Sequence, residues 1–157
     1  MDFGIALDGQ GQLGRPAAVT AIASAADRLD YSSVWCLGPW STTLAGAVVA
    51  VTTRVRIGIA DPPTDGATGH AISSDRLVLG GLERWPVRPP GPCAADRPVS
   101  VLLDVPLDAV ARAGQAVAAI RALGVGELVV RLGGDADVDG ALAAYARLGE
   151  LAAGSSA

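Results

Sequence analysis

The chain has 157 residues, a net charge of −4 and a half-hydrophobic composition in which only 4% of residues are aromatic. This length fits one domain that buries about two thirds of its unfolded surface. All twelve basic residues are arginine, with no basic stripe for a phosphate backbone, so nucleic acid is not an expected partner. The apolar stretch 44–60 is interrupted by Arg54 and Arg56 and is shorter than the roughly 20 residues of a membrane span. No signal-like segment begins the chain, so we expect a cytoplasmic protein without membrane contact.

The first part of the chain alternates short apolar runs with amphipathic segments. Continuous apolar runs of this length are typical of buried parallel strands, and apolar residues at intervals of three and four indicate helices. The predicted elements are a strand at Phe3–Leu7, a helix at Ala17–Leu29, a strand at Ser33–Leu37, a helix at Thr42–Thr53 and a strand at Val55–Ala60.

The pattern then weakens, because Asp61–Ser74 has no helical period. A strand is predicted at Arg76–Leu82, followed by a Pro-rich link at Glu83–Arg97. The remaining predicted elements are a strand at Val99–Val105, a helix at Leu107–Leu123, a strand at Glu127–Leu132 and a helix at Val138–Ala152. These six strands and four helices predict an α/β fold: a mostly parallel sheet of about six strands with helices outside. We expect one domain over residues 1–153 and a disordered tail over 154–157.

A glycine motif lies between the first strand and the first helix. Gly9, Gly11 and Gly14 have the G-x-G-x-x-G spacing with which Rossmann-type domains hold a dinucleotide pyrophosphate. Asp8 precedes the first glycine, and no carboxylate for a ribose hydroxyl stands at the end of the second strand, Val34–Gly38. A nucleotide-binding loop and an ordinary strand-to-helix turn are both compatible with this segment.

Other candidate sites have simpler structural interpretations. Asp135, Asp137 and Asp139 resemble the start of a calcium loop, but Ala146 stands where the bidentate glutamate belongs, so helix capping by Asp135 or Asp137 is favoured. Cys36 and Cys93 are too few for a metal site, and we expect no metal. His70, the one histidine, lies in the irregular segment and is interpreted as a solvated loop residue.

Three tryptophans are the most informative large side chains. Two of Trp35, Trp40 and Trp85 lie at or just beyond the carboxyl ends of predicted strands, where α/β folds bind ligands. They could stack on a planar ring, or they could fill the end of a poorly packed barrel or an interface. The sequence leaves both interpretations open.

Five segments carry a family resemblance in their order and spacing: Met1–Leu7, Ala25–Trp35, Thr53–Ala60, Ser74–Gly81 and Ala119–Leu151. Together they resemble the luciferase-like monooxygenase family of (β/α)-barrel oxidoreductases. Since such a barrel takes about 250 residues, the resemblance implies a truncated barrel.

The resemblance implies a flavin (FMN) or deazaflavin cofactor at the carboxyl ends of the strands. Candidate contacts are backbone or packing groups rather than catalysts: Gly38, Trp40, Ala60, Gly80, Gly81 and Glu83. The histidine-containing acid–base pair that the family carries after its second strand is replaced by Leu37-Gly38-Pro39-Trp40. The resemblance therefore names no catalytic residue.

Three functions remain open from the sequence. The first is a degenerate oxidoreductase domain that binds flavin, deazaflavin or a similar planar small molecule. The second is a non-catalytic binding or assembly subunit of the same fold. The third is a Rossmann-type nucleotide-binding domain that uses Gly9, Gly11 and Gly14. Because about six strands do not close an eight-stranded barrel, we expect the sheet edges to be covered by a second copy or a related subunit, with a homodimer as the default.

Overall fold

The computed structural model describes residues 1–60, 75–80, 82–85 and 100–154. The predicted irregular segment Asp61–Ser74, with His70, and most of the predicted Pro-rich link, with Cys93, lie outside these residues, as does the tail beyond Gly154. The strands are β1 (Asp2–Leu7), β2 (Ser33–Cys36), β3 (Arg56–Ile59), β4 (Leu77–Leu79), β5 (Glu83–Arg84), β6 (Ser100–Pro106) and β7 (Glu127–Gly133). The helices are α1 (Pro16–Arg28), α2 (Ser41–Val51), a 3₁₀ helix (Leu107–Arg112), α3 (Gly114–Ala122) and α4 (Val138–Ala153).

All seven strands form one parallel sheet in the order β4-β3-β2-β1-β7-β6-β5. The predicted α/β fold with a parallel sheet is confirmed, and the one additional strand is the two-residue β5. The order is the cyclic order of a barrel opened between β4 and β5. It differs from the order 3-2-1-4-5-6 of the dinucleotide-binding fold, in which β4 rather than the last strand lies beside β1.

The sheet is strongly curled into a half-barrel, and chain connectivity explains why. A flat sheet of seven strands would separate its edge strands by about 29 Å. The edge strands β4 and β5 are linked by residues 80–82 alone, which span at most about 15 Å from Leu79 to Glu83. The two edges must therefore approach each other across the concave face.

The convex face is covered by helices. Alternate residues along each strand, such as Ile5, Val34 and Val130, pack against apolar residues of the helices, such as Ile22 and Leu148, in one large core. Alanines on the helices allow close approach to the sheet, which suits a chain with so few aromatic residues. Within the described part of the chain, no helix has the length and apolar character that crossing a membrane requires.

The concave face has its own small apolar core. It consists of Ala6, Trp35, Leu37, Ala60, Leu102 and Val129, with the half-buried Leu82 packed against it. Trp35, only 4% exposed, is its one aromatic member. Its indole lies on Gly58 of the neighbouring strand so closely that a Cβ there would be 2.2 Å from Trp35 Cδ2. Trp35 thus fills the interior of the half-barrel, and glycine at position 58 makes room for it.

The amino-terminal end of the concave face is closed by a buried carboxylate. Glu127, whose side chain is 8% exposed, accepts hydrogen bonds at Oε1 from the Ser32 and Ser33 hydroxyls (2.9 and 2.7 Å) and at Oε2 from the Ser100 hydroxyl (2.8 Å). The Arg56 guanidinium lies 3.2 Å from Oε1. Hydroxyl donors and one cation satisfy the buried charge, as burial of a carboxylate requires. This end of the half-barrel is therefore a stabilising element.

A second carboxylate joins α1 to the loop before β3. Asp27 accepts hydrogen bonds from the backbone N–H groups of Thr53, Arg54 and Val55 (3.1, 2.7 and 3.0 Å) and from the Thr53 hydroxyl. Burial by itself raises the pKa of Asp27, but these hydrogen bonds outweigh burial and lower the pKa to about 2. Folding thus stabilises the ionised form of Asp27.

We predict that Gly58→Ala destabilises the protein by about 3 kcal/mol, or about 10 °C in Tm, because the added methyl group overlaps the Trp35 indole. The matched control is Gly46→Ala on the exposed side of α2, where a Cβ meets nothing within 4 Å. That change should raise stability by about 0.5–1 kcal/mol. Thermal unfolding measures both, and a Gly58→Ala protein as stable as the wild type would show that the indole does not rest on Gly58.

We predict that Asp27→Asn lowers the free energy of unfolding by about 2 kcal/mol at pH 7. Because the folded-state pKa lies below the ordinary 3.8, the stabilisation is complete above about pH 4 and is lost as the pH falls to about 2. Urea unfolding at several pH values should show the two proteins converging at low pH. The exposed Asp30, 2.5 Å from Arg54, supplies the control, and Asp30→Asn should cost under about 1 kcal/mol. A pH-independent gap between Asp27→Asn and wild type would contradict this account.

Candidate functional site

The carboxyl ends of the first four strands lie together at one end of the half-barrel. The ladder continues past the strands through backbone hydrogen bonds from Leu37 N to Leu7 O (2.8 Å), from Ala60 N to Cys36 O (3.3 Å) and from Gly80 N to Ile59 O (3.3 Å). The structure therefore brings three predicted contacts, Gly38, Ala60 and Gly80, to the same end of the sheet. Ala60 is buried, and a Cβ on Gly80 would meet nothing within 4 Å.

Trp40 is the exposed aromatic residue of this end. It follows β2, immediately precedes α2 and is 62% exposed. A Cβ added to Gly9 would lie 3.5 Å from Trp40 Cβ, so the base of the side chain stands against the loop after β1. Much of the indole is left open to solvent at the ligand-binding end of a barrel-like sheet.

The remaining predicted contacts lie elsewhere or are not described. Glu83 is exposed on β5, at the opposite edge of the sheet, where it pairs with Val101 in the amino-terminal half of β6. Glu83 thus lies level with the amino-terminal half of β6, whereas Gly38, Ala60 and Gly80 follow the carboxyl ends of their strands. Gly81 lies outside the described residues. The other two tryptophans also separate: Trp35 is inside the half-barrel, and Trp85 packs half-buried against the helix-side core.

The glycine turn between β1 and α1 is closed by its own hydrogen bonds. Gln10 N donates to Asp8 Oδ1 (3.0 Å), Gly14 N to Gln10 O (3.0 Å) and Arg15 N to Gln12 O (3.3 Å). Gly14 has no space for a side chain, since a Cβ would lie 2.1 Å from the Gly9 carbonyl carbon. The glycines are thus explained by a tight turn, and three of its amides are already used within it.

Three charged side chains form an ion-pair network at the carboxyl ends of β1, β6 and β7. Arg131 Nε donates to Asp104 Oδ1 at 2.6 Å, and Arg131 Nη1 lies 3.5 Å from Asp8 Oδ2. Arg131 is a quarter exposed. The network carries a formal charge of −1 and links the first strand to the last two at the mouth of the half-barrel.

The sequence interpretation missed two members of this network, although a signal was present. Asp104 and Arg131 interrupt strands that are otherwise apolar, and in parallel sheets covered on both faces such residues are unusual. Each lies two residues beyond a member of the concave core, Leu102 or Val129, so alternation places both on the concave side. Their proximity to each other required the strand order, which the sequence did not provide.

A shallow depression of about 490 Å³ lies beyond β6 and β7. It is lined by Pro106, Leu107, Asp108, Gly133, Gly134 and Asp135. In (β/α)-barrels the loops after the last two strands often bind phosphate, but the ionisable residues of this lining are both acidic. Just beyond it, Asp137 caps α4 by accepting from Gly140 N (2.7 Å), which confirms the predicted capping role. The depression is therefore unsuited to a phosphate group.

Nucleophilic and metal-binding groups are scarce in the described residues. Burial raises the pKa of the Cys36 thiol to about 12, so this cysteine is un-ionised at neutral pH. Burial likewise raises the pKa of Tyr145, whose hydroxyl donates to Ala6 O at 3.4 Å. No group of three or more His, Cys, Asp or Glu side chains with metal-binding geometry occurs among residues 1–60, 75–80, 82–85 and 100–154.

These features can be compared with what a flavin or deazaflavin would need. For the ring system, Trp40 offers an exposed aromatic face, and a Cβ on the strand-end residue Gly80 would meet nothing within 4 Å. For the phosphate, Arg131 is already paired with two carboxylates, and the depression after β6 and β7 is acidic. Trp40 therefore suits a planar ring, whereas neither Arg131 nor this depression suits a phosphate.

Comparison with known proteins assigns no family, since the sequence matches no protein-family model and no curated protein. The site must therefore be interpreted from its own residues.

We predict that Arg131→Met lowers the free energy of unfolding by about 1 kcal/mol at low salt, because Asp8 and Asp104 then lose their shared cation. A double-mutant cycle of Arg131→Met with Asp104→Asn, followed by urea unfolding, should give a coupling energy that shrinks in 0.5 M NaCl. The exposed Arg147 on α4 supplies a control, and Arg147→Met should change stability by less than about 0.5 kcal/mol. A coupling energy of zero at low salt would contradict the network.

Proposed function

We propose that this half-barrel is a reduced relative of the luciferase-like barrel oxidoreductases, and that in the cytoplasm it binds a planar heteroaromatic molecule of the flavin or deazaflavin class. The ligand lies at the carboxyl ends of β1–β4, with Trp40 as stacking partner and Gly38, Ala60 and Gly80 as the small residues around it.

One observation carries this proposal: an indole that is 62% exposed stands at the ligand-binding end of a parallel, barrel-like sheet. Exposure of a tryptophan costs solvation free energy unless a partner covers it, and aromatic stacking contributes about 0.5–1.5 kcal/mol beyond the area buried. The position after β2 is also where the resemblance to the barrel oxidoreductases places a flavin ring. The ligand class is drawn from these two points together.

A second candidate is a non-catalytic assembly subunit that forms a homodimer or pairs with a related chain. It is favoured by the edge strand β4, on which Val78 and Leu79 are both exposed. The edge strands are short, with three residues in β4 and two in β5. Because they also lie close to each other, they leave few backbone groups to which a strand of another chain could hydrogen-bond. We therefore place this function second.

Titration of the purified protein with riboflavin, FMN and a deazaflavin, followed by quenching of ligand and tryptophan fluorescence, tests the proposal. We expect dissociation constants in the range of about 10–100 μM. Trp40→Ala should weaken binding about tenfold, since the stacking face is lost. Riboflavin should bind as tightly as FMN, because Arg131, the cation at the mouth of the half-barrel, is already paired with Asp8 and Asp104.

The control for Trp40→Ala is Leu123→Ala, which shortens an equally exposed apolar side chain at the far end of α3 and should leave binding unchanged. Absence of binding at about 100 μM for all three compounds would overturn the proposal. Light scattering of the same sample would then test the second candidate, which predicts twice the monomer mass.

A further inference from the structure

The concave core contains one polar atom without a partner. Trp35 Nε1 is inaccessible to solvent, and no hydrogen-bond acceptor lies within reach of it among the described residues. The side chains of its core are all apolar, namely Ala6, Leu37, Ala60, Leu102, Val129 and the half-buried Leu82. A buried donor left in this state costs about 1–3 kcal/mol, and such groups are rare in folded proteins.

Packing alone does not explain why this position is a tryptophan. The contact that fixes the indole is made by the six-membered ring, whose atoms Cδ2, Cε3 and Cε2 are the closest neighbours of a Cβ at Gly58. A phenylalanine would supply a comparable ring without an N–H group. Among the described residues this donor has no acceptor, which leaves it available to a bound ligand.

We propose that Trp35 Nε1 donates a hydrogen bond to a ring carbonyl oxygen of the bound planar ligand. This inference rests on the proposed function and identifies the polar contact of that site. Trp35 lies on β2 two positions before Leu37 and shares its core with Ala60, so this residue lies on the concave face near the end of the sheet where Trp40 is exposed. The pyrimidinedione ring of flavins and deazaflavins carries two carbonyl oxygens, and either can accept a hydrogen bond from the indole N–H.

Leu82 is the side chain that such a ligand displaces. It is the one half-buried member of the concave core and lies in the link between β4 and β5, while the other members are buried in the strands or at their ends. Its removal should open space next to the indole without touching the donor.

The test combines binding with a direct readout of the indole proton. In ¹⁵N-labelled protein, lumichrome, which has the ring carbonyls but neither ribityl chain nor phosphate, should shift the indole N–H resonance of Trp35 downfield. Trp35→Phe should weaken lumichrome binding about tenfold, the value of one hydrogen bond in an apolar site. Its Tm without ligand should stay within a few degrees of wild type, because the loss of buried area is offset by loss of the unpaired donor.

Leu82→Ala should tighten lumichrome binding, because the ligand no longer has to displace the leucine side chain.

The matched control is Trp85→Phe, which changes a tryptophan on the helix side of the sheet and should bind lumichrome as the wild type does. If wild type binds lumichrome but Trp35→Phe binds it equally and the Trp35 resonance does not move, the hydrogen bond is refuted while the proposed function stands. If wild type binds neither lumichrome nor riboflavin, the proposed function fails and this inference falls with it.

Discussion

The contact between the Trp35 indole and the bare backbone of Gly58 is the interaction on which the rest of the half-barrel depends. Trp35 is the one aromatic side chain of the concave core, and because Gly58 offers it bare backbone, the sheet can curl until its two edge strands lie within reach of a three-residue link. A side chain at position 58 would push the indole away from β3.

The two ends of the concave face differ in how far their polar and aromatic groups are enclosed. At the amino-terminal end, Glu127 is enclosed by serine hydroxyls and Arg56. At the carboxyl end, Arg131 holds Asp8 and Asp104, and Trp40 remains uncovered. This division follows the general pattern of barrel folds, in which one end serves stability and the other binds ligands. It is the reason for placing the ligand at the end where polar groups are less enclosed.

Much of the fold could be predicted from the sequence because uninterrupted apolar strands and three-to-four spacing are local signals. Strand β5 could not, since two residues in a Pro-rich segment carry no period. Glu83 was accordingly expected in the link after the fourth strand rather than in a strand at the opposite edge. Of the site, strand-end residues such as Gly38 and Ala60 could be predicted. The pairing of Arg131 with Asp8 could not, because it joins residues 123 positions apart. The burial of Trp35 and the exposure of Trp40 likewise depend on which face of the curl each residue occupies.

The measurement that tests the account most directly is a crystal structure of the protein with riboflavin. The account predicts the ring at the carboxyl ends of β1–β4, with Trp40 on one face and a ring carbonyl oxygen within about 3.2 Å of Trp35 Nε1. A ligand bound instead on the glycine turn between β1 and α1, with the Trp35 donor still unpaired, would contradict it.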